Sequence, residues 1–125
     1  MLDKSKLTDY VPEFHSRRTF SPQLPSAQEL NLVQQAASEL EEQSGLTFTR
    51  LEQPELLFES FKRGKGFFRC AHYYYVISAK EDTPLTRIRA GYYGQQLALY
   101  LTSLRLGCCW EISRFDPQKL SDLVF

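Results

Sequence analysis

Apolar positions return every three or four residues in two long stretches of the chain. Between Ser26 and Gly45, Leu30, Val33, Ala37 and Leu40 recur at helical spacing with Ala36 beside them, the stripe of a helix that buries one face. Ser26 and Glu29 frame its start as a capping box, in which hydroxyl and carboxylate satisfy helix-start amides reciprocally. The spacing therefore predicts a helix over 27–43, stopped by Gly45. The second stretch, "TPLTRIRAGYYGQQLALYLTSLRLG", reads as one helix over 83–107. Thr83 is its N-cap, Pro84 its first helical residue and Gly107 its C′ residue. Leu85, Ile88, Tyr92, Leu97, Leu99, Leu101 and Leu104 cover more than one stripe, which marks a helix buried in a core or a subunit interface. Gly91 and Gly94 weaken it by about 1 kcal/mol each. Three positions apart, both would help one face to approach a neighbour closely.

Shorter runs change period. "LTFTRL" (46–51) alternates and reads as a strand, and "HYYYVISA" (72–79) is an unbroken aromatic and β-branched run, expected to be a central strand buried on both faces. "CCWEIS" (108–113) reads as a further short strand. Asp3 opens a short helix over 3–10, and Asp116-Pro117 opens a last one carrying Leu120 and Leu123. "HSRRTF" (15–20) and "SPQLP" (21–25) read as irregular, "PELLFESF" (54–61) as a helical turn or two, and "KRGKGFF" (62–68) as a loop. Strands separated by helices imply crossover connections and an α+β fold: an α/β sandwich whose small mixed sheet is packed by a long central helix. At 125 residues the chain is a single domain, 1–125.

Composition agrees with a packed domain, at 42% hydrophobic and 24% charged residues. Lys+Arg and Asp+Glu are 15 each, so there is no global field for nucleic acid or acidic lipid. One local patch, "ESFKRGKGFFRCAH" (59–72), interleaves Lys62, Arg63, Lys65 and Arg69 with Phe61, Phe67 and Phe68, the combination that holds single-stranded nucleic acid. Neutrality argues against that use and favours a surface loop. The three cysteines, Cys70, Cys108 and Cys109, have neither disulfide-framework nor zinc spacing and read as buried free thiols of a reducing compartment. Neither histidine, His15 or His72, is tied by spacing to Cys108 or Cys109. "MLDKSKLTDY" lacks the apolar core of a signal peptide, and no apolar run approaches the roughly 18 residues that would cross a bilayer. The expectation is a cytoplasmic protein with no membrane association. No dinucleotide fingerprint, P-loop, zinc-protease motif or carboxylate pair is present.

That leaves "HSRRTF". Arg17 and Arg18 offer fork-shaped donors that suit phosphate, with Ser16 and His15 beside them. The alternative is a solvated pair of arginines near a helix. Trp110, beside two cysteines, either walls a pocket or fills core.

Two motifs carry a resemblance. Phe14-His15-Ser16-Arg17-Arg18-Thr19-Phe20 is similar to R-[RH]-S-x-[RK]-x-F, and "GYYGQQLALYLTSL" running into "RLGCCWEISRF" is similar to a long helix followed by L-G-L-G-T-C-W. In this order, over about residues 7 to 118, they resemble the nitroreductase family of flavin oxidoreductases, and within it the branch called putative TM nitroreductases. The resemblance implies FMN as cofactor and NADH or NADPH as electron donor. It assigns the FMN phosphate to His15, Ser16 and Arg18, with Arg17 a neighbour that helps. Trp110 and the backbone around Ile112 and Ser113 would border the flavin ring. It implies a small-molecule acceptor such as a nitroaromatic or quinone, a homodimer through the long helix 84–106, no metal and no obligatory acid or base, because the flavin carries the redox chemistry. Three departures accompany it. Phe14 stands where the family has its first arginine, no A-P-S-x-x-N-x-Q-P-W segment occurs in 40–60, and family members run longer, so the fold is expected to be incomplete at its C-terminus. Two other readings stay open: a scaffold or interaction subunit that binds no flavin, and a nucleic-acid module using 62–69.

Overall fold

The capping box at Ser26 closes as its spacing predicts. In the computed structural model, which describes residues 2–17, 20–53, 57, 71–111 and 115–125, the Glu29 amide donates to Ser26 Oγ at 3.1 Å and the Ser26 amide donates to Glu29 Oε1 at 2.9 Å. A short helix, α1 (Lys4–Thr8), precedes it, and α2 runs Ala27–Ser44. Gly45 ends α2 at φ +74°, a left-handed conformation that costs a side-chain-bearing residue about 1 kcal/mol. The predicted stripe is the core: Val33, Ala36, Ala37 and Leu40 are buried, the last two completely.

The turn at Gly45 feeds β1 (Thr47–Glu52), which pairs antiparallel with β2 (Tyr73–Ser78). The register Phe48↔Ile77 and Arg50↔Tyr75 puts these residues on one face. Phe48 is buried against α2, with Tyr75 and Ile77 packed beside it. Tyr75 OH donates to Gln34 Oε1 of α2 at 3.3 Å. The expectation that residues 72–79 lie in a fully buried central strand is corrected: every residue of β2 is half-buried. Among the described residues its ladder partner is β1 alone.

Thr83 caps the long helix α3 (Pro84–Ser103), accepting the Thr86 amide at 3.1 Å, with Pro84 at its first turn. Leu97 enters the core, joined by Ala90, Tyr93, Tyr100, Leu101 and Leu104. Burial on most sides holds only for the second half, where Gly94 and Gln96–Leu99 are buried; Leu85, Ile88 and Tyr92 in the first half are exposed. The helix also stops earlier than the sequence suggests. The Leu106 amide donates to Leu101 O and the Arg105 amide to Thr102 O, both at 2.9 Å, which is a Schellman closure. Arg105, at φ +62°, takes the left-handed position expected of Gly107.

The stretch 108–111 is irregular rather than strand. Its backbone bonding is diverted: Cys108 O accepts a hydrogen bond from the N-terminal segment instead of a ladder partner. The last helix, α4 (Pro117–Val124), is capped by Asp116 and buries none of its residues. At the other end, the Leu2 amide donates to Glu39 Oε2 at 2.7 Å and Lys4 Nζ lies 5.4 Å from the Tyr92 ring centroid, so α1 straps across α2 and α3. The described part is thus a small α+β fold, four helices with a two-stranded antiparallel sheet. The helical turn expected over 54–61 and the loop over 62–68 fall outside the described residues, apart from the buried Leu57.

Candidate functional site

The two motifs singled out in the sequence meet. After α1 the chain closes a turn in which the Phe14 amide donates to Tyr10 O at 2.9 Å, and it then runs irregularly through His15, Ser16 and Arg17. The Arg17 amide donates to Cys108 O at 3.0 Å. One backbone bond therefore ties the arginine arm to the segment that follows α3. Trp110 lies two residues beyond that tie, at most about 7 Å along an extended chain.

On the arm, His15, Ser16 and Arg17 are exposed. His15 Nδ1 lies 3.1 Å from Glu13 O. Ser16 and Arg17 are hydroxyl- and guanidinium-bearing donors whose side chains bond to none of the described residues. Arg18, the other arginine nominated, and Thr19 fall outside the described residues, as do Ile112 and Ser113.

Trp110 is a wall. Its indole Nε1–H donates to Gln95 Oε1 at 3.0 Å, and it remains 46% exposed. It lies so close over α3 that a Cβ on Gly94 would sit 2.3 Å from Trp110 Cη2 and 2.8 Å from Ile77 Cδ1. A bare Cα on the helix thus admits the ring, and a glutamine one position on fixes its tilt. The sequence flagged Gly94 as a close-approach residue without indicating what approaches, and it missed Gln95, whose role depends on a contact with Trp110 that spacing alone does not reveal. Gly91, paired with Gly94 in the sequence reading, faces open space, with nothing within 4 Å of a built Cβ.

The cysteines at this junction differ. Cys108 Sγ lies 3.9 Å from Ala98 O. Burial, with Cys109 beside it, pushes its thiol up to about 11, so it stays protonated and unreactive at neutral pH. Neither cysteine pairs with a histidine among the described residues: His72 Nε2 lies 3.2 Å from Pro22 O, and His15 is on the arm. Among the described residues no group of three or more His, Cys, Asp or Glu is placed to hold a metal. The site offers exposed hydroxyl and guanidinium donors next to a fixed aromatic plate. Such a pairing suits a ligand with an anionic end and a flat ring, and the reactive chemistry would come with the ligand. No described helix is long and apolar enough to cross a membrane.

A family model described as "Putative TM nitroreductase" matches residues 6–123. Neither the curated proteins nor the solved structures give a match.

Proposed function

Because the chain belongs to the putative TM nitroreductase family, we propose that its arginine arm and Trp110 form two sides of one FMN site. The observation that carries this reading is the bond from the Arg17 amide to Cys108 O, which brings the arm to the segment bearing the indole. His15, Ser16, Arg17 and Arg18 hold the phosphate, and Trp110 with the backbone of Ile112 and Ser113 borders the ring. The exposed Ser16 and Arg17 and the half-exposed indole fit a ligand with those two ends. When bound, FMN supplies the redox chemistry, passing hydride from NADH or NADPH to a nitroaromatic, quinone or similar small acceptor. The protein's part is to anchor the phosphate, fix the ring against Trp110 and Gln95, and leave its other side open to reactants. In the same reading the chain acts in the cytoplasm as a homodimer through α3, whose exposed Leu85, Ile88 and Tyr92 form an apolar stripe at helical spacing.

The test is an absorbance spectrum after FMN is added and the unbound excess removed. A retained flavin band that disappears in Arg18→Ala supports the site. No retained flavin at high protein concentration refutes it and favours the second reading, a flavin-free scaffold or interaction subunit. One observation speaks for that alternative: Phe14 is half-buried where the family motif has a phosphate-binding arginine. The third reading, nucleic-acid binding through 62–69, lies outside the described residues.

A further inference from the structure

Gly107 has no conformational reason to be glycine. Its φ lies outside the left-handed region, which Gly45 alone among the described glycines occupies, and the C′ position of α3 is filled by Arg105. The reason is steric. A Cβ at 107 would lie 2.9 Å from Arg17 Cγ, 3.1 Å from Arg17 Cβ and 3.7 Å from Phe20 Cε1. The threatened atoms belong to the root of the arginine, not its mobile tip. The backbone under that root is held in place, because the Arg17 amide donates to Cys108 O at 3.0 Å. Residues 107 and 108 thus clamp residue 17 from two sides, one taking its amide and the other leaving room for its stem.

We infer that Gly107 is a positioning residue that sets the site's preference for a phosphorylated flavin over its unphosphorylated form. This rests on the FMN reading above. The clamp fixes the root from which the Arg17 guanidinium reaches the phosphate. In Gly107→Ala the stem must withdraw by about half an ångström or more to reach ordinary carbon–carbon contact. The withdrawal also pulls on the amide bond to Cys108. The arm then loses its register against the Trp110 segment, while the ring side of the site keeps its geometry. Riboflavin, which has the same ring and no phosphate, isolates the effect. Charged-group hydrogen bonds of ordinary strength correspond to a preference for FMN over riboflavin on the order of tenfold to a hundredfold.

The experiment titrates FMN and riboflavin into the wild type, Gly107→Ala, Arg17→Ala and the control Gly91→Ala, reading Trp110, the chain's single tryptophan. Gly107→Ala is expected to weaken FMN on the order of tenfold, leave riboflavin unchanged and match Arg17→Ala; Gly91→Ala keeps the full preference. An equal loss for both flavins, or a preference left intact, overturns the inference. Hydrogen exchange at the Arg17 amide in the ligand-free chain separates its two supports. Exchange at least tenfold faster in Gly107→Ala, and partly restored in the Gly107→Ala/Arg17→Ala double variant, upholds the clamp. An unchanged rate overturns it. A wild type that binds neither flavin removes the FMN reading, and the flavin preference with it, whatever the exchange data show.

Discussion

Alanine at Gly94 places a methyl group where the indole of Trp110 already lies. The built Cβ is 2.3 Å from Trp110 Cη2 and 2.8 Å from both Trp110 Cζ2 and Ile77 Cδ1. Normal carbon contacts begin at about 3.5 Å, so the ring edge must move by more than about 1 Å. Ile77 sits against the core and yields little. Trp110 is 46% exposed and yields by swinging outward, which breaks its bond to Gln95. Overpacking costs about 1–3 kcal/mol and the lost hydrogen bond about 0.5–1.5 kcal/mol, against a gain of about 1 kcal/mol from replacing a helical glycine. The net is a destabilisation of about 0.5–3.5 kcal/mol. Gly91→Ala, one turn earlier on α3, meets nothing within 4 Å and keeps the helical gain alone. The two alanines therefore act with opposite sign. For a chain of this size the gap amounts to roughly 10 °C in Tm. Melts by circular dichroism at concentrations where the chain is monomeric give Tm, and Trp110 emission reports the indole. Gly94→Ala should melt below the wild type with red-shifted emission, and Gly91→Ala above it with emission unchanged. Equal shifts for both variants, or an unmoved emission in Gly94→Ala, would refute the packing of Trp110 on α3.

Three further outcomes are expected. At pH 7–8 Cys109 is alkylated well before Cys108, whose thiol reacts only as pH nears 11, as peptide mapping after a short iodoacetamide pulse will show. Because the folded state holds the Cys108 pKa above its ordinary 9.0, the unfolded chain loses that proton first as pH rises, so the contribution is complete below about 9 and is lost between 9 and about 11; urea midpoints for the wild type and Cys108→Ala should converge or cross over that window. Leu40→Ala, at a position with no exposed surface, costs about 2–5 kcal/mol, measurable as a fall in urea midpoint with little change in slope.

Signals satisfied within a few residues were legible in the sequence. The Ser26 capping box, the stop at Gly45, the Thr83-Pro84 start of α3 and the Asp116 cap each close over at most four positions, so local chemistry decides them. The misread features depend on distant partners. Gly107 looked like a helix stop, but the two Schellman bonds offset the strain of a left-handed Arg105, and the glycine serves Arg17 instead. Residues 108–111 have β-rich composition, but the Cys108 carbonyl is taken by the arm. The apolar content of α3 pointed to a core or a subunit interface; its second half enters the core and its first half leaves Leu85 and Ile88 exposed, a division that the apolar count alone does not make. For the site, residue chemistry suggested an anion grip and a pocket wall, and the family resemblance joined them. That the two meet through one backbone bond is a tertiary fact that no spacing encodes.

The most direct test of the central claim, that the arm at 15–18 and Trp110 bind one FMN, is a titration of FMN followed by the emission of Trp110. A flavin ring held beside the indole predicts strong, saturable quenching at one FMN per chain, and its loss in Arg18→Ala. FMN that stays on the protein while Trp110 emission is unchanged would place the cofactor elsewhere and contradict the account, as would the absence of any saturable response.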